Sequence, residues 1–278
     1  MIVNLWGTRG SLASPGPDTV RYGGNTSCVS VFGGEGTLLV LDAGTGIRVL
    51  GRNMPGEIRA IHILLTHLHM DHLQGLPFFD PLRLPGVEVH LWGPASTTQS
   101  LEERLNRYLS PPLFPVRVRD LLSEMHFHEL DGSTVDIGEF SVLGQRVVHP
   151  NPTVGYRVTS STGTVTYIPD HEPALGSHDF PSADQWTSGY ALAEGADLLI
   201  HDAQYSNVEY PLRIGYGHSS IHHTLRFAQL VDVKQVVPFH HDPAHSDDIL
   251  DALFAQAIDD VAPDCKVTPG KEGMIFTV

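Results

Sequence analysis

The segment Ile61-His-Ile-Leu-Leu-Thr66 is a short apolar run that passes directly into His67-Leu-His-Met-Asp-His72, so four metal-ligating side chains fall within six residues. No other stretch constrains the fold as much. A short apolar run bounded by polar residues reads as a buried strand, which puts the ligands in the loop at its end. With strand alternation, His67 and His69 point one way and grip one ion, while Asp71 and His72 at the turn reach a neighbouring one. Imidazole combined with carboxylate suits a borderline metal such as Zn or Mn. The density of the ligands and their position after a strand separate this pattern from a histidine-rich surface loop. Histidine is also the anomaly of the composition, with 17 residues against 17 lysines and arginines combined.

A pair of ions needs more donors than one loop supplies, and the later sequence offers them at expected strand ends. His149 ends the strand 140–148, Asp170 ends 164–169 and His240 ends 235–239. Taken singly, each is an ordinary turn or capping residue. Their joint order after the four-ligand loop points to a shared centre. His241 competes with His240 for the last position, and His171 adjoins Asp170.

Short apolar runs over 2–6, 28–32, 37–42 and 60–66 read as strands, and 125–169 is nearly all strand. Helical periodicity marks 97–109, 220–230 and 247–258. Both halves can supply a sheet covered by helices on one face, and no linker or charge block divides them. The expectation is therefore α+β, a layered helix, sheet, sheet, helix sandwich formed by 1–278 as a single domain. Proline and glycine mark loops at Pro111, Pro112 and Pro115 and around Pro169 to Pro181. Gly44-Thr-Gly46 after a strand resembles the start of a dinucleotide cradle, but position 49 is Val and no acidic ribose partner follows, which disfavours that reading. The AVILMFWYC fraction of 41% is ordinary for a globular chain. Cys28 and Cys265 are too few for a four-thiolate zinc site and read as small buried hydrophobes. No run reaches the ~18 apolar residues of a membrane span, and the stretch before Arg9 is too short for a signal peptide, so a cytoplasmic protein without membrane contact is expected. A formal charge of -15 disfavours long polyanions.

His-x-His-x-Asp-His, followed in order by His149, Asp170, His218 and His240, resembles the metallo-β-lactamase superfamily, and within it the phosphodiesterase branch of ribonuclease Z and the phosphoribosyl cyclic phosphodiesterases. The matching stretch runs from Leu5-Trp-Gly-Thr-Arg-Gly10 to His240 and covers nearly the whole chain. The resemblance implies the four-layer metallo-β-lactamase-like sandwich and two divalent ions. It gives His67, His69 and His149 to the first ion and Asp71, His72 and His240 to the second, with Asp170 bridging. Asp42, in Leu-Asp-Ala-Gly-Thr-Gly46, matches an aspartate that supports the ligands. Gly217-His-Ser-Ser220 resembles the motif that supplies the catalytic histidine of ribonuclease Z, and Asp202, in Leu-Ile-His-Asp-Ala, matches its carboxylate partner. His222 and His223 are expected to sit on the following helix in solvent.

These roles imply a binuclear phosphodiesterase in which a metal-bridging hydroxide attacks in line and His218, oriented by Asp202, protonates the leaving oxygen. Arg9 and Arg21 are candidates to clamp the non-reacting part of the substrate, although surface salt bridges are an equal use for them. The 21-residue interval from His149 to Asp170 leaves no room for the long tRNA-gripping arm of ribonuclease Z. A small or cyclic phosphodiester is therefore expected, with no long nucleic acid as partner, and a homo-oligomer is compatible with the chain. The alternatives are a metal-dependent lactone or thioester hydrolase, ribonuclease Z-like RNA processing, and a non-catalytic metal sensor. A redox di-iron role is disfavoured because His69 stands where those proteins use glutamate.

Overall fold

The computed structural model describes residues 1–54, 60–176, 180–183 and 186–278. Strands β1 (Ile2–Gly7), β2 (Cys28–Phe32), β3 (Thr37–Leu41), β4 (Ala60–Leu64), β5 (Glu88–Pro94) and β6 (Glu124–Leu130) follow one another in the first sheet. The second sheet holds β7 (Thr134–Ile137), β8 (Phe140–Arg146), β9 (Val154–Ser160), β10 (Gly163–Ile168), β11 (Leu198–Asp202), β12 (Gln235–Phe239) and β13 (Lys266–Val267). The last strand, β14 (Ile275–Thr277), returns to pair with β1, so each sheet has seven strands among the described residues, ordered β14-β1-β2-β3-β4-β5-β6 and β13-β12-β11-β10-β9-β8-β7. The helices are α1 (Ile47–Arg52), α2 (Met70–Leu73), α3 (Leu101–Tyr108), α4 (Tyr190–Ala193), α5 (Ile221–Leu230) and α6 (Asp247–Val261).

Strands β3 to β6 and β10 to β13 are parallel. Such strands are covered on both faces, which is why β3 is an unbroken Thr-Leu-Leu-Val-Leu with every residue buried. Alternation divides its side chains. Leu39 and Leu41 enter the core between the sheets with Val3, Tyr156, Ile200 and Phe239, whereas Leu38 and Val40 pack outward with Leu50 of α1 and Leu101 and Leu105 of α3. On the far side, Leu225 and Phe227 of α5 and Leu250 and Phe254 of α6 cover the second sheet. The inter-sheet core thus draws on both halves of the chain, and the layers are the expected helix, sheet, sheet, helix.

Local chemistry shifted several expected boundaries. Helix α3 starts at Leu101 rather than 97 because Ser100 and Glu103 form a reciprocal capping box. The N-caps Ser220 and Ser246 start α5 and α6 with side-chain bonds to His223 N and Ile249 N. Pairing of β8 with β9 ends at Arg146 opposite Val154, and β10 stops at Ile168. His149 and Asp170 therefore stand in loops beyond their strands. The Pro169 to Pro181 stretch is loop as expected where described, with 177–179 outside the described residues. Among the described residues no helix is long and apolar enough to cross a membrane.

Four histidines that the ligand pattern leaves out lie across β4, β5 and β6. His62 stacks on His90, and His90 on His126 and His128, while Trp92 stacks on His128 and donates its indole N–H to His62 Nδ1 at 3.2 Å. Burial, then the neighbouring His90 and His128, push the His62 imidazolium down to about 4. A folded-state value below the ~6.5 of an unfolded histidine contributes stability at neutral pH that is lost as pH falls from ~6.5 towards 4. Thermal unfolding between pH 7 and 4 should therefore show a shallower acid loss in His62→Gln, which keeps an acceptor for Trp92, than in the wild type. Identical pH slopes would refute the assignment.

Candidate metal centre

Every loop that carries a candidate donor leaves the same end of the sandwich. β4, β10, β11 and β12 are parallel members of their sheets, and β8, antiparallel to β9, runs in the direction of β10. In open α/β sheets the carboxyl ends of the strands are where side chains can converge without disturbing the ladders.

After β4, Thr66 donates its backbone N–H to Asp42 Oδ1 at 2.7 Å, and its hydroxyl also reaches the Asp42 carboxylate. Asp42 holds a left-handed φ of 61°, a conformation that Asp tolerates better than most residues. Its Oδ2 accepts from Tyr167 Oη at 3.0 Å and from His72 Nδ1 at 2.7 Å. This turns His72 Nε2 inward. The same logic orients the other rings: His67 Nδ1 meets Thr66 Oγ1, His149 Nδ1 donates to Gly217 O, and His240 Nδ1 donates to Gln204 Oε1. His69 is the exception, because the Asn151 amide engages its Nε2 and leaves Nδ1 facing His149 Nε2 at 3.3 Å.

Two triads result. The donor atoms of His67, His69 and His149 lie within 4.8 Å of one another, as do those of Asp71, His72 and His240. Asp170 stands between them. Its Oδ1 is 3.0 Å from His72 Nε2 and 3.4 Å from His240 Nε2, while its Oδ2 is 3.8 Å from His67 Nε2 and 3.7 Å from His149 Nε2. Asp71 Oδ2 is 3.3 Å from His72 Nε2 and 3.2 Å from His240 Nε2, and it accepts Ser11 N–H.

The cluster fits divalent ions on its own evidence. His67 Nε2, His72 Nε2 and Asp170 Oδ1 are buried and have no aligned hydrogen-bond partner, which is rare for interior polar atoms. Burial and the nearby His72 imidazole hold His67 well below its usual range, and burial takes His149 to about 4, so both rings are neutral as ligands must be. Burial alone would raise Asp71 and Asp170, but the surrounding imidazoles hold both carboxyls far below the usual range. At His72 the burial effect is outweighed by Asp170, Asp71 and Asp42, which push the ring up. Three carboxylates around one imidazole favour positive charge there, which a divalent ion held by His72 would supply.

Beside both triads lies His218. Its Nδ1 donates to Asp202 Oδ2 at 2.8 Å, and its ring stacks on His240 and meets His149 edge-on, each at 5.0 Å between centroids. Nε2 has no protein partner among the described residues. Burial would lower this histidine, but Asp202 and then Asp170 and Asp71 raise it to about 9. Asp202, fully buried at the end of β11, is fixed by backbone N–H groups of His171 and Gln204.

The resemblance left two pairs open, and geometry separates them. His240 has φ of 59°, so the chain reverses there and His241 points away, bonded to Gly270 O at 2.7 Å between Tyr22 and Phe254. His171 faces His201 at 2.9 Å and not the cluster. Gly10 is needed beside His240, because a Cβ there would collide with the imidazole.

The candidate arginines are placed elsewhere. Arg9 is fully buried and donates to the carbonyls of Gly23, Asp242 and His245, with Asp247 alongside, so no substrate can reach it. Arg21 is paired with Asp248 and Asp251 of α6 on the surface. The expectation that His222 and His223 are solvated also fails. His222 bonds Asp260 of α6, and His223 packs between Phe180 and Tyr210. Sequence reasoning missed Glu172, a fully buried carboxylate that accepts from Gly215 N, Gly217 N and Tyr210 Oη and so anchors the loop before His218. Only the glycines at 215 and 217 hinted at that anchor. Thr66 and Gln204 carried no signal at all, since ligand support comes from residues close in space but distant in sequence.

The model of the family described as beta-lactamase superfamily domain matches residues 37–241. Ribonuclease Z of Staphylococcus carnosus is 24% identical over 264 residues, covering 79% of this chain and 83% of that protein. An uncharacterized protein of Mycobacterium leprae is 29% identical over 218 residues, covering 74% and 67%. Among solved structures, the metallo-beta-lactamase fold protein YhfI from Bacillus subtilis superposes with a TM-score of 0.71 at 16% identity over 99% of each chain. Human tRNase Z, short form, gives 0.68 at 22% identity over 100% of this chain and 99% of that one. Both show the same fold. Because the family match runs from the first residue of β3 through His241 and takes in every donor of the cluster, the chain belongs to the β-lactamase superfamily.

Proposed function

We propose that the protein is a binuclear metal-dependent hydrolase, and specifically a phosphodiesterase for small or cyclic diesters. One observation carries the reading: a single carboxylate, Asp170, presents one oxygen to each triad, and the His218–Asp202 pair borders both. His67, His69 and His149 would hold one ion, Asp71, His72 and His240 the other, and Asp170 both, with Zn or Mn suited to the mix of imidazole and carboxylate. When bound, such ions neutralise phosphoryl oxygens and acidify water. His218 carries the proton for the leaving oxygen at Nε2, since Nδ1 is held by Asp202. Asp202 fixes the ring and favours its charged form, and the backbone bonds from His171 and Gln204 keep that carboxylate in place.

An alkoxide is a poor leaving group, so a diesterase needs this acid, whereas a thioester hydrolase built on the same donors expels a thiolate and does not. The identity to ribonuclease Z favours RNA processing as a second reading. Against it, β9 and β10 are joined by residues 161 and 162 alone, so no arm projects between His149 and Asp170, and the charge of -15 opposes long RNA.

Elemental analysis of protein purified without chelator should give about two divalent ions per chain, and His67→Ala or Asp170→Ala should lower that number. A reproducible single ion, unaffected by added Zn or Mn, would remove the bridging role of Asp170.

His218→Ala should retain metal and fold yet lose ~10²- to 10⁴-fold in kcat on cyclic or alkyl diesters. Bis(p-nitrophenyl) phosphate, whose leaving group needs little protonation, should be affected much less, and Asp202→Asn should show the same selectivity more mildly. Equal losses on both substrates, or a lost metal, would make His218 a ligand or binding residue.

Precursor tRNA should not be cleaved at its 3′ end under conditions where small diesters turn over. Efficient, site-specific cleavage would restore the RNA-processing reading.

A further inference from the structure

Asp42, Thr66, Gly217 and Gln204, which orient the other ring ligands, are buried, whereas Asn151, the partner of His69, is exposed. The loop that carries Asn151 is held at both ends. Val147 N donates to Thr153 O at 3.2 Å, and Val154 N donates to Thr66 O at 2.9 Å. Between these bonds Asn151 is flanked by Pro150 and Pro152 and takes a left-handed φ of 67°, which Asn tolerates better than most residues. Its side-chain amide meets His69 Nε2 at 3.2 Å.

The neighbouring His149 limits where the His69 proton can sit. Gly217 O can only accept, so His149 carries its proton on Nδ1 and presents a lone pair at Nε2. His69 Nδ1 lies 3.3 Å from that lone pair. With the proton on His69 Nδ1 this contact is a hydrogen bond, and His69 Nε2 accepts from the Asn151 amide nitrogen. With the proton on Nε2, the two rings face each other with lone pairs, an arrangement that a cation between them satisfies. The N–H at Nε2 then needs an acceptor, which Asn151 supplies by turning its amide oxygen inward. Both amide orientations fit the same heavy-atom positions, and a carboxylate could serve only the second.

We infer that Asn151 is a positioning residue that sets which nitrogen of His69 carries the proton, and that its amide reverses when the first ion binds. This rests on the reading of His67, His69 and His149 as a metal triad. The exchange balances: one proton leaves Nδ1 to solvent, one is taken up from solvent at Nε2, and the ring stays neutral. Asn151 itself neither binds the ion nor gains or loses a proton.

Multiple-bond ¹H–¹⁵N NMR separates the two imidazole tautomers, with His69→Gln identifying the His69 signals. In wild-type protein stripped by chelator, His69 should carry its proton on Nδ1, and after Zn is restored, on Nε2. Asn151→Asp keeps the size, the tolerance of left-handed φ and the acceptor, but removes the donor. It should place the proton on Nε2 even in the stripped protein, and chelator competition should show Zn bound about tenfold more tightly, as expected for one charge-assisted hydrogen bond. An unchanged unfolding temperature of the stripped variant would show that the fold is intact. A tenfold gain with the wild-type tautomer retained would be charge attraction alone and overturns the inference, as does a wild-type proton on Nε2 both with and without Zn. If the wild type binds no Zn, the metal reading fails by itself. The stripped proteins then decide the role of Asn151: a proton on Nδ1 in the wild type and on Nε2 in Asn151→Asp supports it, and the same tautomer in both refutes it.

Discussion

The buried Asp170 carboxylate, with imidazoles on both sides, is the constraint on which the rest of the structure depends. An isolated carboxylate in such a place is strongly disfavoured, so the surroundings must either neutralise it or balance its charge. His240, His72 and His67 hold it ionised, and His72 is in turn pushed up by Asp170, Asp71 and Asp42. Divalent ions held by the two triads would complete the charge balance, and removing one donor would leave the others as uncompensated buried groups. The cluster can exist only where five loops meet without breaking either sheet, which is the shared carboxyl end of the strands.

Orientation is a second requirement, met by groups outside the cluster. Asp42, Thr66, Gly217 O and Gln204 each take the N–H side of one ring and so aim its lone pair inward. Two of the chain's unusual backbone conformations, at Asp42 and His240, serve the same end. Left-handed φ in non-glycine residues persists only where surrounding contacts over-determine it. Here those contacts are the hydrogen bonds of Thr66, His72 and Tyr167 to Asp42 and of His240 to Gln204.

Environment gives one residue type several behaviours. His67 and His149 are pushed down by burial, whereas His218 is raised to about 9 because Asp202, Asp170 and Asp71 outweigh the same effect. His171 and His201 form a buried pair against Phe227 and touch no ligand. His62, His90, His126 and His128 stack across three parallel strands as flat rings, half-buried except for the exposed His126. The histidine excess therefore reflects several unrelated structural uses around one chemical one.

The sequence by itself determined about half of the strands, the α+β layering and the first ligand loop, because apolar runs and closely spaced donors are local patterns. The ordered appearance of His149, Asp170, His218 and His240 was also legible through the resemblance. Tertiary structure alone separated His240 from His241, since a single left-handed residue decides which ring faces the cluster. It also took Arg9 and Arg21 out of the site: apart from Gly23 O, their partners, Asp242 to Asp251, lie more than two hundred residues away, and no local pattern encodes that pairing. Glu172 was invisible for a related reason. A carboxylate becomes an anchor only when burial removes water and backbone N–H groups from a distant loop replace it.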